Sequence, residues 1–131
     1  MKITSRTSPI SADLLVRQKI SFGFAEIRDI SFSDAKNDSR FFVNFIQHLK
    51  RFCNLTWDDI KVTHRHGFGS ETISVERLTP NALQWVPAGL RKLIVLRATG
   101  NNHVFLGYRD GNVFQILFIE YCFGDIYTHG R

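Results

Sequence analysis

Two glycine-containing turn signals divide the last third of the sequence into short apolar runs. They are Thr99-Gly100-Asn101-Asn102 and Asp110-Gly111, and both are typical of tight β-hairpins. The runs between and around them, residues 93–96, 104–108 and 113–120, are rich in β-branched and aromatic residues, as strands are. Because hairpin-linked strands pair antiparallel, the sequence predicts an antiparallel β-meander, followed by a last strand at residues 125–129.

The middle of the chain carries the pattern of two helices. Asp38 or Ser39 is the predicted N-cap of the first helix, and Asn54 ends it. Thr56, with an acid three residues later, starts a second helix that ends near Val62. Apolar residues recur at three- and four-residue steps along the first helix and predict its buried stripe. These residues are Phe42, Phe45, Ile46, Leu49 and Phe52.

Near-alternation of apolar residues predicts a first strand over about residues 19–28, behind a polar N-terminal arm of residues 1–18. A length of 131 residues suits one domain, here residues 19–131. The predicted fold is α+β: an N-terminal strand, two helices, then the antiparallel meander, with the helices packed on one face of the sheet.

Charge and cysteine content restrict the environment and the partners. Cys53 and Cys122 lie in apolar runs and are predicted to be buried free thiols, as in a reducing compartment. No apolar window approaches the roughly 20 residues of a membrane helix, and residues 1–18 hold no signal-peptide stretch. We therefore expect a cytoplasmic protein with no membrane partner. The net charge of +5 favours an acidic partner, either a nucleic acid or an acidic protein.

The element order, with Val95-Leu96-Arg97, Tyr108-Arg109-Asp110 and Ile126-Tyr127, resembles the RelE-like toxins (RelE/ParE superfamily) of type II toxin–antitoxin modules. The resemblance covers residues 39–62 and 91–129. It implies a small basic protein that an antitoxin neutralises. Many members cut messenger RNA on the ribosome, and others in the superfamily inhibit gyrase.

The resemblance also implies roles for single residues. Leu96-Arg97 is similar to the family's strand that carries a phosphate-binding arginine. Tyr127 is similar to the tyrosine that stacks on or orients the substrate, and His129 to a terminal histidine of some members. Two features depart from the family: residues 120–125 offer no basic side chain before the tyrosine, and residues 64–90 are longer and more irregular.

Metal-independent RNA cleavage needs these residue types. Histidine suits the proton transfers, arginine the charge on the phosphorane, and an aromatic ring the splayed base. The predicted catalytic residues are Arg97, Tyr127, His129, His64 and His66. The predicted substrate-binding residues are Arg109, Tyr108 and Arg65. His48 and His103 are predicted to be surface residues.

Strand alternation separates the two arginines of the meander. Two-residue turns place Arg97 on the face of Val104, Leu106 and Tyr108, and Arg109 on the opposite face. This favours Arg97 for a site on the open face of the sheet. Arg109, beside a turn, also suits a solvated or capping role.

Other interpretations stay open at this point. His64 and His66 fit a loop without a role, a catalytic or phosphate-contacting pair, or a metal site that lacks its third and fourth ligands. Tyr127 also suits plain packing at the sheet edge. The chain as a whole also suits a non-catalytic basic binding protein on the same fold, or a lookalike that binds a small molecule or a metal. No cofactor motif is present, so we predict neither cofactor nor metal.

Overall fold

One mixed sheet of five strands organises the computed structural model, which describes residues 18–62, 70–99 and 103–129. The strands are β1 Ser21–Gly23, β2 Glu71–Ser74, β3 Lys92–Arg97, β4 Val104–Asp110 and β5 Val113–Glu120. Their spatial order is β1-β5-β4-β3-β2; β2 to β5 pair antiparallel in sequence order, and β1 joins β5 in parallel. Together with the helices, this sheet confirms an α+β fold.

The two predicted helices form with the predicted caps. Helix α1 spans Ser39–Phe52, and the Asp38 carboxylate accepts a hydrogen bond from the Phe41 backbone N–H at 3.0 Å. Helix α2 spans Trp57–Val62 behind Thr56, whose side chain and backbone exchange hydrogen bonds with Asp59. A third helix, α3, is one turn long at Pro80–Leu83, and 3₁₀ turns lie at Asp29–Phe32 and Val75–Arg77.

Helices α1 and α2 cover one face of the sheet, which we call the first face. A core of aromatic rings fills the space between these helices and the sheet. The ring of Phe105 on β4 lies 5.1 Å from Phe45, 6.0 Å from Phe52 and 5.4 Å from Phe114. Edge-to-face contacts of this kind add to the free energy of burying the rings. The other buried members of this cluster include Ile20, Phe41, Leu49, Trp57, Ile60 and Leu96.

The buried stripe of α1 is rotated from the predicted one. Phe41 is buried in place of Phe42, and His48, predicted at the surface, is buried against Phe52. Ile46 is 53% exposed. The predicted spacing was right, but its phase was wrong, because Phe41 and Phe42 fit the three- and four-residue steps equally well.

The opposite face, which we call the second face, is covered too, so the prediction of a sheet covered on one side was wrong. Strands β4 and β5 are apolar on both sides and need cover on both, since exposed apolar surface is costly. The cover consists of α3, the irregular chain around it and residues 126–127. The buried side chains of this second cluster include Leu78, Ala82, Leu93, Val95, Leu106, Phe118, Ile126 and Tyr127.

A β-bulge lets β5 fill both faces. The register shifts between Leu106 and Gly107, and consecutive residues Leu117 and Phe118 both join the second cluster. The backbone of β5 comes so close here that a Cβ on Gly107 would overlap the Gln115 carbonyl and lie 2.7 Å from the Phe114 ring. Only glycine fits this position without a backbone shift.

The first predicted strand is shorter than expected, and the last predicted strand, residues 125–129, does not form. β1 ends at Gly23. Beyond it, the backbone polar groups along this edge of β5 are hydrogen-bonded by other residues. The Arg28 N–H donates to the Leu117 carbonyl, and the Ser31 hydroxyl accepts from the Ile119 N–H. Residues 125–129 make only an isolated bridge, from Tyr127 to Leu78. Both sides of β5 are already paired, so this C-terminal segment crosses the second face instead of extending the sheet.

The cysteine prediction was half right. Both thiols are free, but Cys53 is exposed at the end of α1 and Cys122 is only half-buried in the turn after β5. Among the described helices, none has the length and apolar character that crossing a bilayer requires.

Candidate active site at the ends of β3 and β5

Two charged residues lie in one row across three strands of the second face. Arg97 pairs with Val104 on β4, and Val104 pairs with Glu120 at the end of β5. Directly paired residues share a face, so Arg97 and Glu120 lie on the same side of the sheet. Their Cα atoms are two strand spacings, about 10 Å, apart. Arg97 therefore lies on the face that strand alternation predicts.

Glu120 is a buried carboxylate, with 1% of its surface exposed. Its Oε2 accepts hydrogen bonds from the backbone N–H of Ile126 at 2.9 Å and of Tyr127 at 3.2 Å, and its Oε1 contacts Nε2 of His129. A buried carboxylate needs such partners to offset the loss of its hydration. Glu120 thus holds the returning C-terminal segment against the sheet.

His129 is held between two aromatic rings as well as by Glu120. Its ring centroid lies 3.9 Å from that of Phe123 and 4.0 Å from that of Tyr127, with interplanar angles of 30° and 34°. Two rings at this distance cannot share one face of the imidazole, so they cover opposite faces. Because Nε2 contacts Glu120, Nδ1 is the second ring nitrogen, and no described residue hydrogen-bonds to it.

Tyr127 is a core residue in this structure, with 3% of its surface exposed. Burial, followed by the negative charges of Glu71 and Glu120, raises the pKa of its hydroxyl to about 12, although Arg77 and Arg97 act in the opposite direction. The phenol is therefore protonated at neutral pH. Its ring is covered, so the predicted stacking of a substrate base on Tyr127 has no exposed ring face here.

Arg77 adds a second guanidinium to the site. It lies 5.5 Å from the centroid of the Tyr127 ring, donates to the Thr128 carbonyl at 2.7 Å and pairs with Glu71 at 3.7 Å. The carbonyl contact and the Thr128 N–H, which donates to the Arg77 carbonyl, tie residues 77–79 to the C-terminal segment. The site is thus built from three separate parts of the sequence.

The structure brings three predicted catalytic residues together: Arg97, Tyr127 and His129. Arg109 lies on the first face, where it donates to the Gly111 carbonyl and contacts the Trp57 ring at 4.8 Å. This matches the capping alternative for Arg109. Tyr108 lies on the second face but at the other end of β4, and burial and Glu26 raise its pKa. His64, Arg65 and His66 lie outside the described residues.

Sequence reasoning missed Glu120, Arg77 and Phe123. Glu120 could have been found, because it is the one acid in the apolar run 113–120 and a charge there needs a partner. Arg77 and Phe123 had no such signal. Their places depend on how the C-terminal segment crosses the sheet.

A small acidic cluster lies beside the site. The Cys122 thiol is 3.8 Å from the Asp34 carboxylate, and the potential ligand atoms of Asp34, Cys122 and Asp125 lie within 4.8 Å of one another. Burial, and then the charges of Asp125 and Asp34, raise the pKa of the thiol, which keeps it protonated. Surface acids are often this close without a metal, so the cluster alone assigns no metal site.

Comparison with protein-family models, with curated proteins and with solved structures finds no match for this chain.

Proposed function

We propose that this chain is a toxin-like mRNA endoribonuclease, metal-independent and of the RelE-like kind. The observation that carries the proposal is the contact between buried Glu120 and half-buried His129, in the same region of the second face as Arg97. A histidine oriented by a buried carboxylate is the arrangement that enzymes use to position a general base. Arg97, on the same face of the sheet, supplies the positive charge that phosphoryl chemistry needs.

In the proposed reaction, Nδ1 of His129 takes the proton of a ribose 2′-hydroxyl. The 2′-oxygen attacks the adjacent phosphorus, the bond from phosphorus to the 5′-oxygen breaks, and a proton returns to that oxygen. The products are a 2′,3′-cyclic phosphate and a 5′-hydroxyl. Arg97 stabilises the extra negative charge of the phosphorane. His64 and His66 remain candidates for the second proton transfer, with Arg65 and Tyr108 as candidate substrate contacts.

The proposed partners follow from charge and resemblance. A chain with a net charge of +5 is suited to RNA or to the RNA-rich ribosome in the cytoplasm, and to an acidic antitoxin that neutralises it. Tyr127 has a different role from the one that the resemblance implies: its buried ring supports the inner face of His129.

The direct test is RNA cleavage with and without translating ribosomes, in the presence of a chelator. We expect cyclic-phosphate ends from the wild type, and a loss of at least 100-fold in His129→Asn and Arg97→Ala, since general base catalysis and charge stabilisation each contribute on this scale. His103→Asn, a histidine on the first face, and Lys92→Ala, at the other end of β3, are matched controls. Intact RNA in both assays would overturn the proposal.

A non-catalytic binding protein on the same fold is the second candidate. It is favoured by the exposed apolar side chains of α1, where Val43 and Ile46 are 55% and 53% exposed and line a groove of about 590 Å³. On this alternative, growth arrest after induction of the chain is lost in Ile46→Lys and unchanged in His129→Asn. The nuclease proposal predicts that growth arrest is lost in His129→Asn and unchanged in Ile46→Lys.

A further inference from the structure

An exposed phenylalanine ends the stack of rings in the candidate site. Phe123 is 64% exposed, the largest fraction among the described large hydrophobic residues. It lies in the turn closed by the hydrogen bond from the Asp125 N–H to the Cys122 carbonyl at 3.0 Å, and the φ of +89° at Gly124 suits the third position of a type II turn. The turn holds the ring at the surface.

The two faces of this ring differ. His129 covers one face at 3.9 Å, and His129 in turn lies on the buried Tyr127 ring. Since Phe123 is 64% exposed and His129 covers one face of its ring, the other face is in contact with water. Tyr127, His129 and Phe123 thus form a column of planar rings that is anchored in the core and open at its outer end. A further planar ring can continue this column at the same spacing.

We propose that Phe123 is the platform on which an unpaired base of single-stranded RNA stacks, on the outer face of the ring, with Phe123 between the base and His129. The inference rests on the proposed function and names the substrate contact that buried Tyr127 does not provide. Base stacking on an exposed ring is the usual way that proteins hold single-stranded RNA, and it tolerates any base because every base has a π-face. The neighbouring Asp34 and Asp125 carboxylates disfavour phosphate at this end, so the base faces Phe123 and the backbone passes towards Arg97.

Binding is measured with a short single-stranded 2′-O-methyl oligonucleotide, which cannot be cleaved because its 2′-oxygen is blocked. It carries 2-aminopurine, whose fluorescence falls when the base stacks on a ring. We expect quenching by the wild type, and affinity about 10-fold lower in Phe123→Leu, within the range that one stacked base contributes. Phe123→Tyr restores both signals. Phe24→Leu, which removes another exposed ring at the opposite end of β5, is the control.

The outcomes separate the two proposals. Quenching that depends on Phe123, in a protein that leaves ordinary RNA intact, would reject the nuclease and keep the base platform. RNA cleavage with unchanged binding in Phe123→Leu would reject the platform and keep the nuclease. No binding by the wild type would overturn the platform and leave the exposed ring to a protein contact. Thermal unfolding of each variant checks that the substitution leaves the stability of the fold unchanged.

Discussion

At the scale of single residues, Glu120 matters more than its place at the end of a strand suggests. Its two carboxylate oxygens hold two backbone N–H groups and the His129 ring. It therefore has a structural role, which keeps residues 126–129 on the sheet, and the proposed catalytic role of orienting His129. The two roles are separable, because the backbone contacts use Oε2 and the imidazole uses Oε1.

Removing this carboxylate should destabilise the fold. Glu120→Ala leaves the buried N–H groups of Ile126 and Tyr127 and the His129 ring without their acceptor, so we expect a loss of about 3–5 kcal/mol in the free energy of unfolding. Glu120→Gln keeps an oxygen for the backbone and should lose less than half of that. Urea unfolding measures both. Equal losses would show that the backbone contacts do not stabilise this segment.

The hydroxyl of Tyr127 gives a pH dependence whose sign is fixed. Its pKa is about 12 in the folded chain against an ordinary 10.0, so the unfolded state loses its proton first as the pH rises. Stability is fully retained below pH 10 and falls between pH 10 and 12, by about 2 kcal/mol. Tyr127→Phe removes this contribution. We expect its unfolding free energy to fall less steeply than that of the wild type over this interval, and parallel curves would contradict the assignment.

At the scale of elements, the parts predictable from sequence are those whose ends are set by local chemistry. Asp38 and the Thr56–Asp59 pair cap their helices through contacts within three residues, and both caps were predicted. Residues 125–129 were predicted as a last strand of the meander. Their conformation depends instead on Glu120 and on residues 77–79, which are distant in sequence. Sequence periodicity carries no information about such contacts.

The cap of α1 links that helix to the end of β5. The Asp38 carboxylate accepts from the Phe41 N–H and from the Tyr121 hydroxyl at 2.5 Å, and these hydrogen bonds, in the order Tyr121 then Phe41, lower its pKa. We expect Asp38→Ala to lower Tm by roughly 5 °C, and Asp38→Asn to lower it less, because asparagine also caps helices. Tyr121→Phe should lower Tm by less than Asp38→Ala does. A larger loss in Tyr121→Phe than in Asp38→Ala would show that the tyrosine, not the cap, dominates.

At the scale of the whole molecule, the sheet is a central layer with an apolar cluster on each side. The prediction of one covered face failed because the irregular segment around α3 has no periodic pattern, although it buries Leu78 and Ala82 on the second face. The candidate site lies where this cover meets the C-terminal segment. The gathering of Arg97, Tyr127 and His129 was predictable only as a set of residue types, since their proximity requires the crossing of that segment.

Whole-molecule charge and local charge predict different salt dependences for RNA binding. If Arg97 contacts a phosphate, Arg97→Ala should make the slope of log affinity against log salt shallower by about 0.7, the value for one contact to a single strand. Lys92→Ala removes the same charge from the other end of β3 and should leave the slope within error of the wild type. Titrations of a 2′-O-methyl oligonucleotide at several salt concentrations give both values. Equal changes in the two variants would mean that RNA is attracted by the net charge of +5 alone, which removes Arg97 from the site and leaves the Glu120–His129 pair with a structural role.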